Sequence, residues 1–237
     1  MASVVFSIRS QPYLRDKMKS EHSEYFNHDD NAAGYDQDVA DAADPIRTGY
    51  DAVLDWVAKM ARITSQSRVL ELGSGTGNLT QRLDDCEELV CVDVSERMEE
   101  LARHKISRFQ NRRFIKEDIL QVFDHPIGLF DAILSTFTVH HLTEPEKLHF
   151  FREVFQHLKP GGRAVFGDLM VENAGRMNEK IEEYISNGNE HVAEALKEEF
   201  FWHLEESVGE LEKTGFDVEW KRFSDLSFGI AARKSGA

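Results

Sequence analysis

Glu71 stands two positions ahead of a run of alternate glycines, Gly73-Ser74-Gly75-Thr76-Gly77, in the stretch VLELGSGTGNL. Glycine adopts positive φ at no steric cost, so such a run after a strand makes a turn whose backbone comes close to a ligand. The dinucleotide fingerprint G-x-G-x-x-G holds a pyrophosphate over a helix amino terminus. Here the glycines are spaced one residue tighter, and a Glu71 carboxylate aimed into the turn opposes a pyrophosphate and suits a cationic amine. Asp93 closes the apolar run ELVCVDV, and a carboxylate at a strand end accepts hydrogen bonds from both hydroxyls of a ribose. Asp118 closes a third run and is followed by Ile119, which sets an acceptor for an exocyclic amine beside an apolar surface for a flat ring. The competing account is a structural strand-turn-helix with incidental acids.

A second group lies downstream. Ser135 to Phe137 end a fourth apolar run, and His140 and His141 follow in STFTVHHLTEPEK. Imidazole is the side chain tuned to neutral pH, so one of the pair can serve as general base or substrate contact. The plainer account is a loop histidine bonded to backbone. Adjacent histidines normally point different ways, so no metal site is assigned. Cys86 and Cys91 match no zinc spacing and make no disulfide scaffold, and Cys91 reads as a small core residue of a chain in a reducing cytoplasm.

These residues need elements that bring them to one edge. RVLEL, ELVCVDV, RRFIKEDI, LFDAILSTF and RAVFGDL read as strands. NLTQRL begins a helix after the glycines, and SERMEELARHKI is a helix opened by Ser95 and Met98. EPEKLHFFREVFQHL is another, with a buried stripe of Leu148, Phe151, Phe155 and Leu158, stopped by KPGG. Upstream, DPIRTGYDAVLDWVAKMARI predicts a helix with Asp44 as cap and Pro45 first, presenting Ile46, Tyr50, Val53, Leu54, Val57 and Met60 on one face. Strand and helix in alternation argue for a parallel sheet covered on both faces. The ending departs from this pattern. A long helical stretch over residues 173–214 carries Val192, Leu196, Phe200, Leu204, Val208 and Leu211 as its buried stripe, with Trp202 packed and His191 and His203 as lesser candidates for substrate contact. FDVEWKRF and FGIAARK then follow, close enough to pair as an antiparallel hairpin. The expected organisation is an amino-terminal arm or lid over residues 1–43, carrying Tyr25, Phe26 and Tyr35, and one domain over 44–237. A helical cap at about 170–205 would lie over the carboxyl edge of the sheet, where ligands of such folds bind.

Bulk properties narrow the function classes. The chain has 237 residues, 41% hydrophobic and 30% charged, with a formal net charge of −15. That length suits one substantial core, and the acidity disfavours a nucleic-acid partner, whose affinity rests on phosphate neutralisation. The best candidate for a local basic patch, RFQNRRFIK, reads as a solvated helix end running into a strand. No apolar run approaches the roughly 18–20 residues that cross a bilayer, and the first residues lack the pattern of a signal peptide. The oligomeric state does not follow from the sequence.

Taken in order, the glycine turn, the ribose acid and the adenine acid describe an adenosine with a cationic amino-acid tail, S-adenosylmethionine. VLELGSGTGNL, CVDVSERM, KEDIL, FDAILSTFTVHHL and LKPGGRAVFGD resemble the class I S-adenosylmethionine-dependent methyltransferases over about residues 44–234. GTGNLT, STFTVHHLTEPEK and the short ending resemble more closely the bacterial YrrT-type methyltransferases. The resemblance implies a Rossmann-like α/β fold: a seven-stranded, mostly parallel sheet with an antiparallel last strand and helices on both faces. It implies a cofactor set of Glu71, Gly73, Ser74, Gly75, Asp93, Val94, Met98, Asp118, Ile119 and Ser135, with Glu71 near the methionine end, and His140 and His141 as catalytic candidates. No Asn/Asp-Pro-Pro-Tyr/Phe run follows the fourth strand, and no Pro-Cys stands ready to attack a pyrimidine. A small-molecule methyl acceptor is therefore expected. The alternatives are a non-catalytic sensor of S-adenosylmethionine or its demethylated product, and a nicotinamide-dependent reductase.

Overall fold

The computed structural model describes residues 18–24, 27, 29–41 and 43–236; the expectations for Tyr25 and Phe26 lie outside the described residues. RVLEL forms β1 (Arg68–Leu72), whose last four residues are all buried, as expected of a strand covered on both faces. It lies between β2 (Glu88–Asp93) and β4 (Phe130–Thr136), parallel to both. With β3 (Arg112–Lys116), β5 (Leu158–Val171), β7 (Phe216–Arg222) and β8 (Ser227–Lys234), the strand order is β3-β2-β1-β4-β5-β8-β7. Only β8 runs antiparallel, to β5 on one side and β7 on the other. A two-residue strand, β6 (Trp202–His203), pairs with the end of β5. The chain reverses its direction of travel across the sheet between β1 and β4, so the carboxyl end of β1 is the crevice that such folds leave open.

Period-two alternation divides the core. Leu70, Leu72, Val90, Val92 and Ile133 face α4 (Glu144–His157) through its Phe150, Phe151 and Val154. Val69, Leu89, Cys91 and Leu134 face α2 (Tyr50–Ala61) through Val53, Leu54 and Val57. Each such side chain contributes about 1.5–3 kcal/mol when taken fully from water. Glu71 shares the α2 face with Val69, which places its carboxyl in the interior. α3 (Glu96–Lys105) opens as expected, with Ser95 accepting from the Met98 amide.

Several elements differ from the expectation. After the glycines there is only a single 3-10 turn, Thr80–Arg82, because β2 begins at Glu88 and leaves no room for a longer helix. α2 starts at Tyr50, five residues late: Asp44 accepts from the Ile46 amide and closes a separate turn. On α4, Phe150, Phe151 and Val154 are buried, and Leu148 and Phe155 stand at the margin. The long carboxyl-terminal helix is three: α5 (Ala174–Ser186), α6 (Glu190–Glu198) and α7 (Leu204–Thr214). Gly188, at φ 75°, separates the first two. Val192, Ala193, Leu196 and Phe201 join the α2-side core, and Lys180 and Tyr184 bond Asp225 in the β7–β8 turn at 2.5 and 2.8 Å.

Candidate active site

Three strand ends and the glycine turn meet at the crevice. Gly73 and Gly75 have φ of 72° and 51°, in the left-handed region. The amides of Gly73 and Ser74 both donate to the Val92 carbonyl, at 2.8 and 3.0 Å, folding the turn over the end of β2. A Cβ on Gly73 would lie 2.1 Å from Thr138 Oγ1, so only glycine lets the β4 loop approach this closely. Around Gly75 the space is open, and its amide donates to Asp93 Oδ2 at 2.7 Å. Asp93 Oδ1 accepts from the Ser95 amide at 2.9 Å. Burial raises the Asp93 carboxyl above its usual range, and these two backbone donors oppose the rise.

Asp118 is 3% exposed. Its Oδ1 accepts from the amides of Leu120 at 2.8 Å and of Ser20 and Gln121 at 3.3 Å. Glu71 stands behind the glycines, 1% exposed, with Thr80 Oγ1 donating to Oε2 at 2.5 Å. Burial pushes its carboxyl up to about 8, against the Thr80 bond, with a smaller push from Asp93.

A cavity of about 690 Å³, its open mouth included, is lined by Gly73, Gly75, Asp93, Val94, Met98, Asp118, Ile119 and His141 among the residues expected from sequence. Ser20, Ser23, Tyr35, Thr136, Phe137, Thr138 and Leu142 complete the wall. Glu71, Ser74, Ser135 and His140 stand outside this lining. Ser135 Oγ donates to the Leu72 carbonyl at 2.7 Å and braces β4 on β1. The buried Ser74 Oγ has no hydrogen-bond partner among the described residues. Phe137 is a bulky residue at φ 48°, strained backbone of the kind that clusters at functional sites. Its ring stacks on Tyr50 at 4.8 Å.

The amino-terminal segment closes this wall. Beyond Ser20 on Asp118, the Glu21 amide donates to Glu146 Oε1 at 2.7 Å. Asp29 Oδ1 accepts from Ser95 Oγ at 2.5 Å and from the Arg97 amide at 3.2 Å. On α1 (Ala32–Asp38), Asp36 accepts from Thr76 Oγ1 at 2.6 Å and pairs with Lys105 at 2.5 Å. Tyr35 reaches the cavity, and burial raises its phenol well above the usual range.

The histidines are not splayed apart. Both lie in one 3-10 turn, Val139–His141, which sets their ring centroids 4.0 Å apart. His141 borders the cavity; His140 is 5% exposed and turned inward. His140 Nδ1 lies 2.5 Å from Asp168 Oδ1, and its Nε2 lies 3.3 Å from Glu199 Oε2. Asp168 also accepts from the amides of Leu169, Val139 and His140 and from Trp202 Nε1, at 2.8 to 3.2 Å. Burial raises the Glu199 carboxyl, and His140 opposes that rise. Sequence reasoning missed Asp168 and Glu199. Asp168 had a signal, an acid inside the apolar strand VFGDLMV; Glu199, one glutamate among several, had none.

Comparison with known proteins agrees with this geometry. A family model described as a methyltransferase domain matches residues 69–162. An uncharacterized methyltransferase of Oceanobacillus iheyensis is 31% identical over 210 residues, covering 87% of this chain and 92% of the relative. The uncharacterized methyltransferase YrrT of Bacillus subtilis is also 31% identical over 210 residues, covering 87% of this chain and 95% of its own. The chain belongs to the YrrT-type methyltransferases. The fold of this methyltransferase is shared by more distant solved structures. The N-methyltransferase NodS of Bradyrhizobium japonicum, in complex with S-adenosyl-L-homocysteine, matches with a TM-score of 0.59 at 17% identity, over 86% of this chain and 97% of its own. The magnesium protoporphyrin IX methyltransferase of Synechocystis, with bound S-adenosylhomocysteine, matches with a TM-score of 0.60 at 17% identity, over 90% and 97%. Among the described residues no helix is long and apolar enough to cross a membrane.

Proposed function

We propose that the methyltransferase binds S-adenosylmethionine in the cavity at the end of β1 and transfers its methyl group to a small-molecule acceptor on the His141 side. One observation carries this reading. Among the described residues, two carboxylates, Asp93 and Asp118, and no lysine or arginine line the cavity, so this wall repels a pyrophosphate and welcomes a sulfonium and an ammonium. Asp93 would take the ribose hydroxyls, Asp118 through Oδ2 the adenine amine, and Ile119, Val94 and Met98 the flat face of the base. Gly73 and Gly75 would lie against the amino-acid tail. Glu71 would act from behind the turn, as the buried charge that a bound ammonium calls out. Ser20, Ser23 and Tyr35 would close the arm over the donor as a lid, with residues 170–205 flanking the acceptor side.

Methyl transfer from a sulfonium is an in-line displacement with the donor already activated, so the protein has to align the acceptor and exclude water. Thr136, Phe137, Thr138, His141 and Leu142 form the wall available for the acceptor. His141, rather than the enclosed His140, is the imidazole that would meet its heteroatom.

Calorimetry tests the donor site. S-adenosylhomocysteine should bind, NADH should not, and Asp93→Ala should weaken binding about 10- to 100-fold, the worth of hydrogen bonds to a charged acceptor. No association with either S-adenosylmethionine or its demethylated product would overturn the reading. Transfer of a labelled methyl group into a metabolite extract separates an enzyme from a sensor.

A further inference from the structure

We propose that His140, His141 and Glu199 form a site for one divalent transition-metal cation of the zinc class at the acceptor wall of the cavity. One ligand atom from each of the three lies within 4.8 Å of the other two. The contact between His140 Nε2 and Glu199 Oε2, at 3.3 Å, has the spacing of two ligands on one ion. Bonds of about 2.0–2.2 Å at a tetrahedral angle set neighbouring donors about 3.4 Å apart. Closing the third side needs a shift of His141 on the order of 1 Å, within the reach of a side-chain rotation.

The second observation is the tautomer. Four donors besides His140 Nδ1 converge on Asp168. A carboxylate so placed accepts, so Nδ1 carries the proton and the Nε2 lone pair faces Glu199. A lone pair opposite a carboxylate oxygen needs a positive particle between them, either a proton or a metal ion. The carboxylate–histidine arrangement, Asp168 behind His140, is the support that metal-ligating imidazoles carry. One backbone bond staples the two segments, the Phe200 amide donating to the His140 carbonyl at 2.9 Å, and the Lys147 side chain of α4 donates through Nζ to the Phe200 carbonyl at 2.5 Å. Glu199 is thereby held against the histidine turn. Two imidazoles and one carboxylate suit zinc and its neighbours better than magnesium or calcium.

The role of the ion rests on the proposed function above; its binding does not. Three protein ligands leave a tetrahedral ion one open position, and His141 borders the cavity. An acceptor hydroxyl or thiol bound there loses its proton to solvent. Its freed lone pair then attacks the methyl carbon, the methyl–sulfur bond breaks, and that electron pair stays on sulfur as a neutral thioether.

The test uses the full-length protein, stripped with a chelator and titrated with Zn2+ by calorimetry and with Co2+ by visible absorption. One equivalent should bind, with the absorption of four-coordinate Co2+. Glu199→Gln should abolish that site, and Asp168→Asn, which removes support without removing a ligand, should weaken it about 10- to 100-fold. S-adenosylhomocysteine affinity should persist in Glu199→Gln, which also reports that the variant is folded. No Zn2+ binding, or binding unchanged by Glu199→Gln, overturns the metal site and leaves a shared proton between His140 and Glu199. Zn2+ binding without S-adenosylhomocysteine binding overturns the proposed function instead.

Discussion

Glu71 is the residue whose position in sequence and position in space say different things. Its place before the glycines suggested a carboxylate facing the ligand, but alternation along β1 turns it inward onto Thr80. Its carboxyl, pushed up to about 8, is neutral at pH 7 in the ligand-free protein. An unfolded glutamate titrates near about 4.3. Between that value and about 8 the folded chain holds a proton that the unfolded chain has released, so this contribution to stability is complete at low pH and lost as pH rises. Thermal melts should therefore show Glu71→Gln close to the parent at pH 5 and more stable than it at pH 9, by several degrees. An ammonium docking on the turn favours the carboxylate. Binding of S-adenosylhomocysteine at pH 7 should then release up to about one proton, read from calorimetry in buffers of different ionisation enthalpy. Glu71→Gln should abolish that release.

At the scale of elements, local sequence decides structure where one short-range cause dominates. The sequence places Ser95 at the start of α3, and its Oγ accepts from the Met98 amide at 3.0 Å. The same oxygen donates to Asp29, so the cap also anchors the arm. Ser95→Ala should cost about 1–2 kcal/mol in denaturant melts. A double-mutant cycle with Asp29→Ala should give a coupling of at least about 0.5 kcal/mol, as residues in contact do. The two departures have different causes, one a local turn signal and the other strand pairing. Helical periodicity ran through Asn187-Gly188-Asn189, although that triplet carries the turn chemistry that ends α5. The segment after Gly77 has good helical residues, but β2 starts at Glu88 in register with Arg68. Strand pairing outweighed propensity there, because the ladder and its buried side chains are worth more than a short helix.

At the scale of the molecule, the site is a meeting of distant segments. Ser20, Asp93, Asp118, Phe137 and His141 share one wall. Among the described residues, Glu21, Asp29 and Asp36 tie the amino-terminal segment to the domain through part-exposed hydrogen bonds and an ion pair, and an exposed ion pair is worth about 0.2–1 kcal/mol. A ligand against Ser20, Ser23 and Tyr35 would add contacts to this segment. S-adenosylhomocysteine should slow amide exchange across residues 18–41 at least about 10-fold, and the slowing should shrink in Asp36→Ala, which loses the bonds to Thr76, Asn78 and Lys105.

The sequence by itself determined the glycine turn, the acids at the ends of β2 and β3, the strands of the parallel sheet, and the closing hairpin. Each of these depends on φ preference, period or capping within a few neighbouring residues. Tertiary structure alone decided that Glu71 lies behind the cavity, that His141 and not His140 borders it, and that Asp168 and Glu199 bracket His140. Those outcomes depend on which strands pair and which segments pack, and burial and partner distance are set by residues far apart along the chain.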